Sequence, residues 1–310
     1  MKILVTGGAG FIGSHVASLM VERQHEVMVV DDLSSGSRRN LPNEAIFKQM
    51  NICDRTFGDL VEDFRPETIF HLAAQIDVRK SVADPSHDAG INVLGTIRLL
   101  QAAANAKTQR VIFSSTGGAI YGEQDFFPAT EAHPCRPVSP YGTSKLCAEA
   151  YLGYFERAGG PRCIVLRYSN VYGPRQDPYG EAGVVAIFTN KMLHNQPPTI
   201  FGNGKQTRDY VYVKDVARAN LLALESNYSG VLNVGTGIET DVNTLATIIA
   251  HHTHFRGQPV YQPSRPGEQF RSVIDPAKAK RELGWQPAVD LSGGLRETVE
   301  HFRANGDHNP

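Results

Sequence analysis

Tyr141 and Lys145 are the residues whose types and spacing most directly suggest chemistry. They lie in residues 139–145, Ser-Pro-Tyr-Gly-Thr-Ser-Lys. Ser is a good N-cap and Pro suits the first helical position, so the run predicts a helix that carries the pair one turn apart on one face. A lysine cation beside a phenol lowers a pKa that is otherwise ~10, which gives a base for a hydroxyl proton near neutral pH. The same spacing is common by chance, so the rest of the chain has to support this interpretation.

A glycine-rich loop near the N-terminus is the second candidate. A short apolar strand, a glycine loop, an amphipathic helix and a second strand that ends in two acids form a βαβ dinucleotide-binding unit. Its residues are 3–5, Gly7, Gly10, Gly13, 26–30, Asp31 and Asp32. Glycines let backbone N–H groups approach a pyrophosphate, and a carboxylate after the second strand accepts ribose hydroxyls and disfavours NADP. Glycine loops also make plain tight turns, and the Gly-x-x-Gly-x-x-Gly spacing is not the commonest one, so the context carries the NAD prediction.

The elements that must position these residues alternate along the chain. Apolar strands are predicted at 110–113 and 163–167, and residues 68–74 predict a strand that runs into a loop of small residues. Long helices are predicted at 88–106 and 140–157. This order predicts an α/β fold, a Rossmann-type doubly wound parallel sheet with a smaller C-terminal α/β substrate-binding domain. Ser114, Ser115 and Thr116 follow a strand and should face the ligand crevice at the carboxyl edge of the sheet. We expect a dinucleotide domain at 1–169, to which segments near 213–235 return, and a substrate domain at 170–310.

Composition excludes several classes of protein. The chain has 310 residues, a net charge of −1 and no basic block, so no nucleic-acid partner is expected. Its apolar runs are of strand length, and neither a membrane span nor a signal peptide is recognised. The four cysteines form no Cys-x-x-Cys pair, which favours a reduced, cytoplasmic protein.

Motifs over nearly the whole chain carry a family resemblance. Five of them are residues 6–13 (TGGAGFIG), 71–74 (HLAA), 92–96 (NVLGT), 114–116 (SST) and 141–145 (YGTSK). In their order the chain resembles the extended short-chain dehydrogenases/reductases. Within that family it most resembles the UDP-glucose 4-epimerases, on residues 167–175, 199–204, 208–211 and 265–268. The Tyr-x-x-x-Lys pair with the glycine loop is highly specific to the family, and the other motifs are moderately specific to the epimerases.

The resemblance implies NAD as cofactor. The residues implied to bind it are Gly7, Gly10, Phe11, Ile12, Gly13, Asp31, Asp32, Asn51, Ile52, Leu72, Ala73, Ala74, Asn92, Ser114, Tyr141 and Lys145. Lys145 would bind the nicotinamide ribose and lower the pKa of Tyr141. Asn51 departs from the family, which commonly has Asp there to contact the adenine amino group, so that contact is expected to be altered but possible.

The resemblance also implies a UDP-hexose substrate, with UDP-glucose and UDP-galactose interconverted through a transient 4-keto sugar and NADH. Thr116, Tyr141 and Lys145 would be catalytic, with Tyr141 taking the O4 proton and Thr116 bonding O4. The implied substrate-binding residues are Thr116, Tyr141, Asn170, Val185, Ile200, Phe201, Arg208, Arg265, Glu268 and Ser272. Arg208 and Arg265 would bind the diphosphate, although both could be ordinary surface arginines. Ile200 and Phe201 could equally belong to a plain core strand.

Departures from the family narrow the function. Gly117 and Gly118 stand where sugar 4,6-dehydratases carry an Asp-Glu pair, which disfavours loss of water. Ser272 stands where some relatives carry a bulky Tyr, so the sugar pairs with N-acetyl groups could also be substrates. Another nucleotide-sugar epimerase, dehydratase or oxidoreductase remains an alternative. A non-catalytic NAD-binding protein is a further one, but such proteins typically lose the Tyr or the Lys.

The remaining features read as structural. The histidines at 251, 252 and 254 lack the spacing of a zinc helix, so no metal site is expected. Residues 275–284 predict a helix with Pro at its first position and Gly at its end, and Trp285 is predicted to be a packing anchor. The resemblance implies a homodimer that pairs through the helices at 88–106 and 140–157.

Overall fold

The computed structural model of the chain describes residues 1–179, 183–264 and 269–305. The strands in these ranges are β1 (Lys2–Thr6), β2 (Glu26–Asp31), β3 (Ile46–Gln49), β4 (Thr68–His71), β5 (Arg110–Thr116), β6 (Arg162–Tyr168), β7 (Asn170–Tyr172), β8 (Thr199–Phe201), β9 (Thr207–Arg208), β10 (Tyr210–Tyr212), β11 (Gly230–Val234), β12 (Thr240–Asp241), β13 (Val260–Gln262) and β14 (Arg271–Ser272).

The α-helices are α1 (Phe11–Glu22), α2 (Phe57–Phe64), α3 (Val78–Ala83), α4 (Pro85–Ala89), α5 (Thr96–Asn105), α6 (Pro140–Arg157), α7 (Val184–Leu193), α8 (Val213–Glu225), α9 (Val242–Thr253), α10 (Ala277–Leu283) and α11 (Leu291–Asn305). A 3-10 turn covers Arg38–Asn40, and a π-helical segment covers Gly90–Gly95.

A seven-stranded parallel sheet organises the molecule. Its order is β3-β2-β1-β4-β5-β6-β11, and every neighbouring pair is parallel. The order 3-2-1-4-5-6 is that of a dinucleotide-binding sheet with its crevice beside the first strand. The prediction of a Rossmann-type fold is therefore confirmed. The late strand β11 adds to the edge at β6, so the chain returns to this sheet after leaving it.

Burial of the sheet on both faces explains its apolar strands. In β1, Ile3 and Val5 face one core, which α1, α8 and α10 cover, whereas Leu4 faces the core under α2, α5 and α6. A parallel sheet covered by helices on both sides needs continuous apolar strands, and these residues supply them. A further apolar cluster joins α7, α9 and α11 to β8 and β10 beside the sheet.

Two helix predictions need correction. The helix predicted at 88–106 begins earlier, at Pro85, and it is interrupted by the π-helical segment Gly90–Gly95. Directly after that segment, the Thr96 hydroxyl donates to the main-chain oxygen of Asn92 at 2.7 Å and so competes for a main-chain acceptor. In α10 the predicted first-turn proline, Pro276, occupies the N-cap position instead. By contrast, α6 covers Pro140–Arg157 as predicted.

The C-terminal part is anchored by Trp285. Its side chain is 0% exposed, and Nε1 donates to Asp215 O at 2.9 Å. The Asp215 carboxylate in turn accepts from the N–H groups of Ala288 and Val289. The prediction of a packing anchor is confirmed. Among the described residues, no helix has the length and apolarity that crossing a bilayer requires.

Candidate active site

The glycine loop between β1 and α1 is packed too closely for side chains. Gly7 has φ +68°, and a Cβ placed on it would lie 2.5 Å from Ala73 N. A Cβ on Gly13 would lie 2.1 Å from Gly7 O, whereas one on Gly10 would lie 3.3 Å from the same oxygen. Gly10 is the N-cap of α1, so the free N–H groups of that helix point out of the loop. The loop therefore fits a dinucleotide pyrophosphate.

Asp31 braces this loop. It ends β2, and its Oδ2 accepts from Ala9 N at 2.9 Å while Oδ1 accepts from Leu33 N at 2.9 Å. Burial raises the pKa of Asp31, and the hydrogen bonds from Leu33 and Ala9 oppose that rise. Because each carboxylate oxygen accepts more than one hydrogen bond, Asp31 can hold the loop and still bind a ribose hydroxyl.

The adenosine side of the predicted site is prearranged by its own hydrogen bonds. Asn51 Nδ2 donates to Asp32 Oδ2 at 2.7 Å, and its Oδ1 accepts from Cys53 N at 2.8 Å. The Asn51 amide is thus already held by the protein, and its contact with adenine stays a prediction. Ile52 is buried beneath the π-helical segment, where a Cβ on Gly95 would lie 2.9 Å from its Cδ1. Phe11 and Ile12 form the first turn of α1.

The loop after β4 lies against the glycine loop and is held in place by the buried Asn92 side chain. Leu72 N donates to Thr6 O at 3.0 Å, and Ala73 and Ala74 follow it. Asn92 is buried, with its Nδ2 donating to Gln75 O and its Oδ1 accepting from Gln75 N, both at 2.9 Å. Asn92 was predicted as a cofactor ligand, and the structure places it where it fixes the Leu72–Gln75 loop. Its contact with NAD stays a prediction.

The start of α6 positions Tyr141. Ser139 Oγ accepts from Gly142 N at 3.2 Å and Pro140 is the first helical residue, so the predicted cap is confirmed. The N–H of Tyr141 itself donates to Ser81 Oγ at 3.2 Å. Ser81 is buried in α3 and also donates to Val78 O. A residue outside every sequence motif therefore fixes the backbone of the predicted base.

Lys145 lies one turn further along α6 and is 3% exposed. Its Nζ donates to Ser114 O at 3.0 Å and lies 4.7 Å from the centre of the Phe113 ring. Burial lowers the pKa of Lys145 to about 8, while the negative charges of Asp88 and Glu149 raise it. The lysine is thus held against β5, and its protonation depends on the balance between its burial and the nearby negative charges.

Thr116 ends β5 and shares its space with Asn170. A Cβ built on Gly118 would lie 3.9 Å from Thr116 Oγ1 and 3.7 Å from Asn170 Oδ1. The two predicted sugar ligands, from different strands, therefore face the same region beside Gly118. A hydroxyl and an amide converge there at the carboxyl edge of the sheet, where ligands of this fold bind.

A buried ion pair lies beneath this edge. Glu149 and Arg167 are each 6% exposed, with Arg167 Nη2 2.6 Å and Nε 3.0 Å from the carboxylate oxygens. Ser115 Oγ donates to Glu149 Oε1 at 2.5 Å, and Arg167 Nη1 donates to Tyr121 Oη at 3.0 Å. The pair thus ties α6 to β5 and β6 one turn beyond Lys145. Nothing in the sequence indicates this ion pair apart from a Glu eight residues after Tyr141.

His71 ends β4 but is a structural residue. Its Nδ1 lies 2.8 Å from Thr6 Oγ1 and its Nε2 lies 3.0 Å from Thr96 Oγ1. Burial, and to a smaller extent the charge of Lys145, lowers the pKa of His71 to about 3. His71 is therefore neutral at working pH, and both of its ring nitrogens are occupied.

Asp209 organises the predicted substrate residues, although sequence analysis assigned it no role. Its backbone oxygen accepts from Asn170 N at 2.9 Å, and its N–H donates to Ser272 O at 3.0 Å. Its carboxylate accepts from Thr236 N, Thr236 Oγ1 and Gly237 N at 2.6–3.1 Å. Burial raises the pKa of Asp209, and these hydrogen bonds oppose the rise. A buried carboxylate so fully bonded fixes three segments at once.

The other predicted substrate residues lie around Asp209 or in the neighbouring core. Arg208 in β9 pairs in register with Ser272 in β14, and Ser272 is 3% exposed. Val185 is the second residue of α7 and Ile200 lies in β8, both buried, whereas Phe201 is partly exposed. Arg265 and Glu268 fall outside the described residues. Binding of substrate by these side chains stays a prediction.

The histidines of α9 show no metal centre. His254 ends the helix in a left-handed conformation, and His252 Nε2 lies 3.1 Å from Ser292 Oγ. Within residues 1–179, 183–264 and 269–305, no cluster of three or more His, Cys, Asp or Glu could hold a metal ion.

The sheet order, the closed glycine loop and the Tyr141–Lys145 pair on α6 define a Rossmann-type, NAD-dependent enzyme. The chain belongs to the NAD dependent epimerase/dehydratase family, whose model matches residues 3–235. NAD is therefore its cofactor, as the glycine loop in its βαβ context predicted.

Individual relatives resemble the chain over its whole length. It is 44% identical over 309 residues to a UDP-glucose 4-epimerase of Mycolicibacterium smegmatis, which covers 98% of this chain and 99% of that protein. Its structure is similar to that of UDP-glucose 4-epimerase with UDP-glucose from Thermotoga maritima, with TM-score 0.97, 50% identity and coverage of 99% and 100% of the two chains. It is also similar to a Thermus thermophilus UDP-glucose 4-epimerase in complex with NAD, with TM-score 0.92, 44% identity and coverage of 98% and 99%.

Proposed function

We propose that this enzyme interconverts UDP-glucose and UDP-galactose by inverting C4 of the hexose. The observation that carries the proposal is the attachment of buried Lys145 to Ser114 O, which sets Tyr141 and Lys145 against the strand that ends in Thr116. The relatives described above, at 44–50% identity, bear the same activity in their names. A sugar carbon bearing a hydroxyl has no acidic hydrogen, so inversion there needs oxidation and then reduction.

The cofactor would lie across the glycine loop, with Asp31 toward its adenosine ribose and Lys145 toward its nicotinamide ribose. NAD, when bound, supplies the chemistry of accepting a hydride from C4 and giving it back. Gly7 and Gly13 keep side chains out of the space that a pyrophosphate needs. Lys145 has one ammonium hydrogen bonded to Ser114 O, which leaves its other two for ribose hydroxyls.

Tyr141 holds and moves the proton. As phenolate it would take the O4 proton when C4 is oxidised and return it when the 4-keto sugar is reduced. A shift of the phenol pKa from ~10 to ~7 needs about 4 kcal/mol, at 1.36 kcal/mol per pH unit. A cation ~4 Å from the phenol would supply about 4 kcal/mol at an effective dielectric of 20, so the charge of Lys145, helped by the positive nicotinamide ring, would be of the required magnitude. Thr116 would hold O4 in line by a hydrogen bond.

Incubation of the purified protein with UDP-galactose tests the proposal. UDP-glucose of unchanged mass should form until the two sugars reach equilibrium, with no net NADH release. Loss of water from the product, or net accumulation of NADH, would instead assign a dehydratase or an oxidoreductase. No conversion of any nucleotide sugar by protein that carries NAD would favour the non-catalytic alternative.

A second pair of substrates, UDP-N-acetylglucosamine and UDP-N-acetylgalactosamine, is supported by Ser272. The residue lies in β14 opposite Arg208, and its side chain is small where some relatives carry Tyr. We expect wild type to convert both sugar pairs and Ser272→Tyr to convert the unacetylated pair alone. Ser272→Ala, which keeps the small volume, is the matched control and should keep both activities. Absence of acetylated-sugar turnover in wild type would remove this proposal.

The proposed assembly is a homodimer through α6 and the helical segments at 85–105. Leu94, Tyr151 and Tyr154 on these elements are 53%, 40% and 57% exposed. Large apolar side chains close together on a surface favour a protein partner. The variant Tyr151→Glu/Tyr154→Glu should elute as a monomer in size-exclusion chromatography with light scattering. Ile46→Glu, at the β3 edge, should leave the oligomer unchanged.

We also propose a cytoplasmic location. Cys53, Cys135, Cys147 and Cys163 are free thiols, which fits a reducing compartment. Fractionation of the source cells with an antibody to the chain tests this, and recovery of the protein outside the cytoplasm would contradict it.

A further inference from the structure

We propose that Asp88 is the buried counter-charge of Lys145 and acts as a positioning residue for the Tyr141–Lys145 pair. The proposal rests on the function proposed above, because it concerns how the lysine of that site keeps its charge. Asp88 lies in α4, outside every motif that the sequence analysis singled out.

Asp88 is a carboxylate with an unusual environment. Its side chain is 0% exposed, and Oδ1 accepts from Gln75 Nε2 at 2.8 Å and from Asn92 Nδ2 at 3.1 Å. The other oxygen, Oδ2, is buried without a hydrogen-bond partner. Two amide donors thus stabilise negative charge at Oδ1. Oδ2 has no donor in contact, so its negative charge has to be stabilised by a cation that is not hydrogen-bonded to it. An uncompensated buried charge is costly, which calls for a nearby cation.

Lys145 is a buried cation that lacks a directly contacting carboxylate. It is 3% exposed, and its ammonium group contacts the main-chain oxygen of Ser114 and the Phe113 ring. Among the residues that the structure describes, no carboxylate lies within the 4.0 Å of an ion pair with Lys145. Helices α4 and α6 pack against each other, so the two buried charges lie on touching elements. Of the charges that support protonated Lys145, Asp88 has the larger effect and Glu149 the smaller.

The other groups facing Lys145 leave this role to Asp88. Glu149, on α6 itself, is engaged by Arg167 and Ser115, so its charge is largely compensated. His71, from β4, is neutral because burial lowers its pKa to about 3. Tyr141 lies on the same helix as Lys145, and as a neutral phenol it supplies no counter-charge. From β5 the lysine meets only a carbonyl and an aromatic ring, and the π-helical segment offers the uncharged Asn92.

The sign of the effect follows from these charges. A negative charge near Lys145 favours its protonated form, so removing it lowers the pH at which the lysine loses its proton. The lysine cation stabilises the Tyr141 phenolate, and the alkaline limb of activity should therefore move to lower pH in Asp88→Asn. Asn keeps the shape and the Oδ1 acceptor of Asp, so that variant changes the charge with little change in packing.

The pH dependence of kcat/KM in Asp88→Asn holoenzyme is the first test. We expect the alkaline limb to move down by about half a pH unit or more, since a charge beyond direct contact acts less than a contacting one. Asp63→Asn removes the same charge from an exposed site on α2 and should leave the limb in place. A uniform loss of activity with an unmoved limb would indicate a structural role only and overturn the proposal.

A stability cycle tests the pairing without any activity. In the wild-type background, Asp88→Asn should lower the melting temperature, because the buried Lys145 cation then has no counter-charge. In a Lys145→Met background, Asp88→Asn should raise the melting temperature, because the substitution then removes a buried negative charge that has no counter-charge. If Asp88→Asn does not fold, the double variant should fold. Equal changes in both backgrounds, or a double variant that also fails to fold, would contradict the pairing. This result stands even if the protein proves not to be an epimerase.

Discussion

Lys145 Nζ donates a 3.0 Å hydrogen bond to the main-chain oxygen of Ser114, two residues before Thr116 ends strand β5. The bond fixes a buried cation of α6 on the strand whose end carries the predicted sugar ligand. Because Tyr141 lies one turn earlier on the same helix, its distance from the strand end is set by the same contact. The geometry of the proposed proton transfer therefore depends on this contact together with the hydrogen bond from Tyr141 N to Ser81 Oγ.

Replacing Tyr141 by Phe should remove the base and leave the fold intact. We expect kcat to fall by about 10²–10⁴-fold, the usual contribution of a positioned proton-transfer group. NAD should still co-purify, because its other contacts are unchanged. Tyr151→Phe, which removes the hydroxyl of an exposed tyrosine on the same helix, is the control and should keep full activity. Steady-state rates and bound NAD per chain provide the measurements, and full activity of Tyr141→Phe would rule out the assignment.

Activity should decline on the alkaline side at about pH 8. Burial lowers the pKa of Lys145 to about 8, so above that pH the ammonium loses its proton and no longer stabilises the phenolate. The pH profile of kcat/KM, which reports the free holoenzyme, measures this. Lys145→Arg keeps a cation that does not titrate in this range, and its residual activity should lack the decline. An identical alkaline limb in both proteins would show that another group titrates.

The glycine loop predicts a graded response to added methyl groups. Gly13→Ala would place a Cβ 2.1 Å from Gly7 O, so we expect loss of bound NAD and a lower melting temperature. Gly10→Ala, with a Cβ at 3.3 Å from that oxygen, should lose less of both. Gly58→Ala in α2, where a Cβ meets no atom within 4 Å, should raise stability by about 0.5–1 kcal/mol. If the Gly13→Ala and Gly58→Ala proteins contained the same amount of NAD per chain, close packing at Gly13 would not be required for NAD binding.

Trp285 should be the costliest residue to truncate among those that hold the C-terminal part. Its fully buried side chain makes Trp285→Ala worth about 3–5 kcal/mol of unfolding free energy. Trp285→Phe keeps most of the packing but loses the hydrogen bond to Asp215 O, so it should cost clearly less. Urea denaturation of the three proteins gives the comparison. A Trp285→Ala protein of wild-type stability would contradict the anchoring role.

Local sequence signals predicted part of this structure well. Ser139 and Pro140 act on their own helix turn, so the start of α6 was predicted to the residue. The glycine loop and its flanking strands were equally readable, because close backbone approach requires glycine at fixed spacings. The apolar runs of the sheet followed from burial on both faces.

Contacts between distant segments could not be predicted. Ser81 and Tyr141 are 60 residues apart in sequence, and nothing near either residue indicates the other. The π-helical segment depends on how Thr96 and Gly95 meet their neighbours, which helical periodicity cannot show. Asp88 read as one polar residue of a helix, and the role proposed for it depends on its burial in a helix that packs against the helix of Lys145.

The central claim is that C4 is oxidised and reduced within one site. UDP-galactose carrying deuterium at C4 tests it most directly when it is converted in ordinary water and the UDP-glucose formed is examined by NMR. We expect the product to keep the deuterium at C4, because the hydrogen leaves and returns as hydride without exchanging with solvent. Hydrogen from water at C4 of the product would contradict it, since inversion would then proceed by proton exchange rather than hydride transfer.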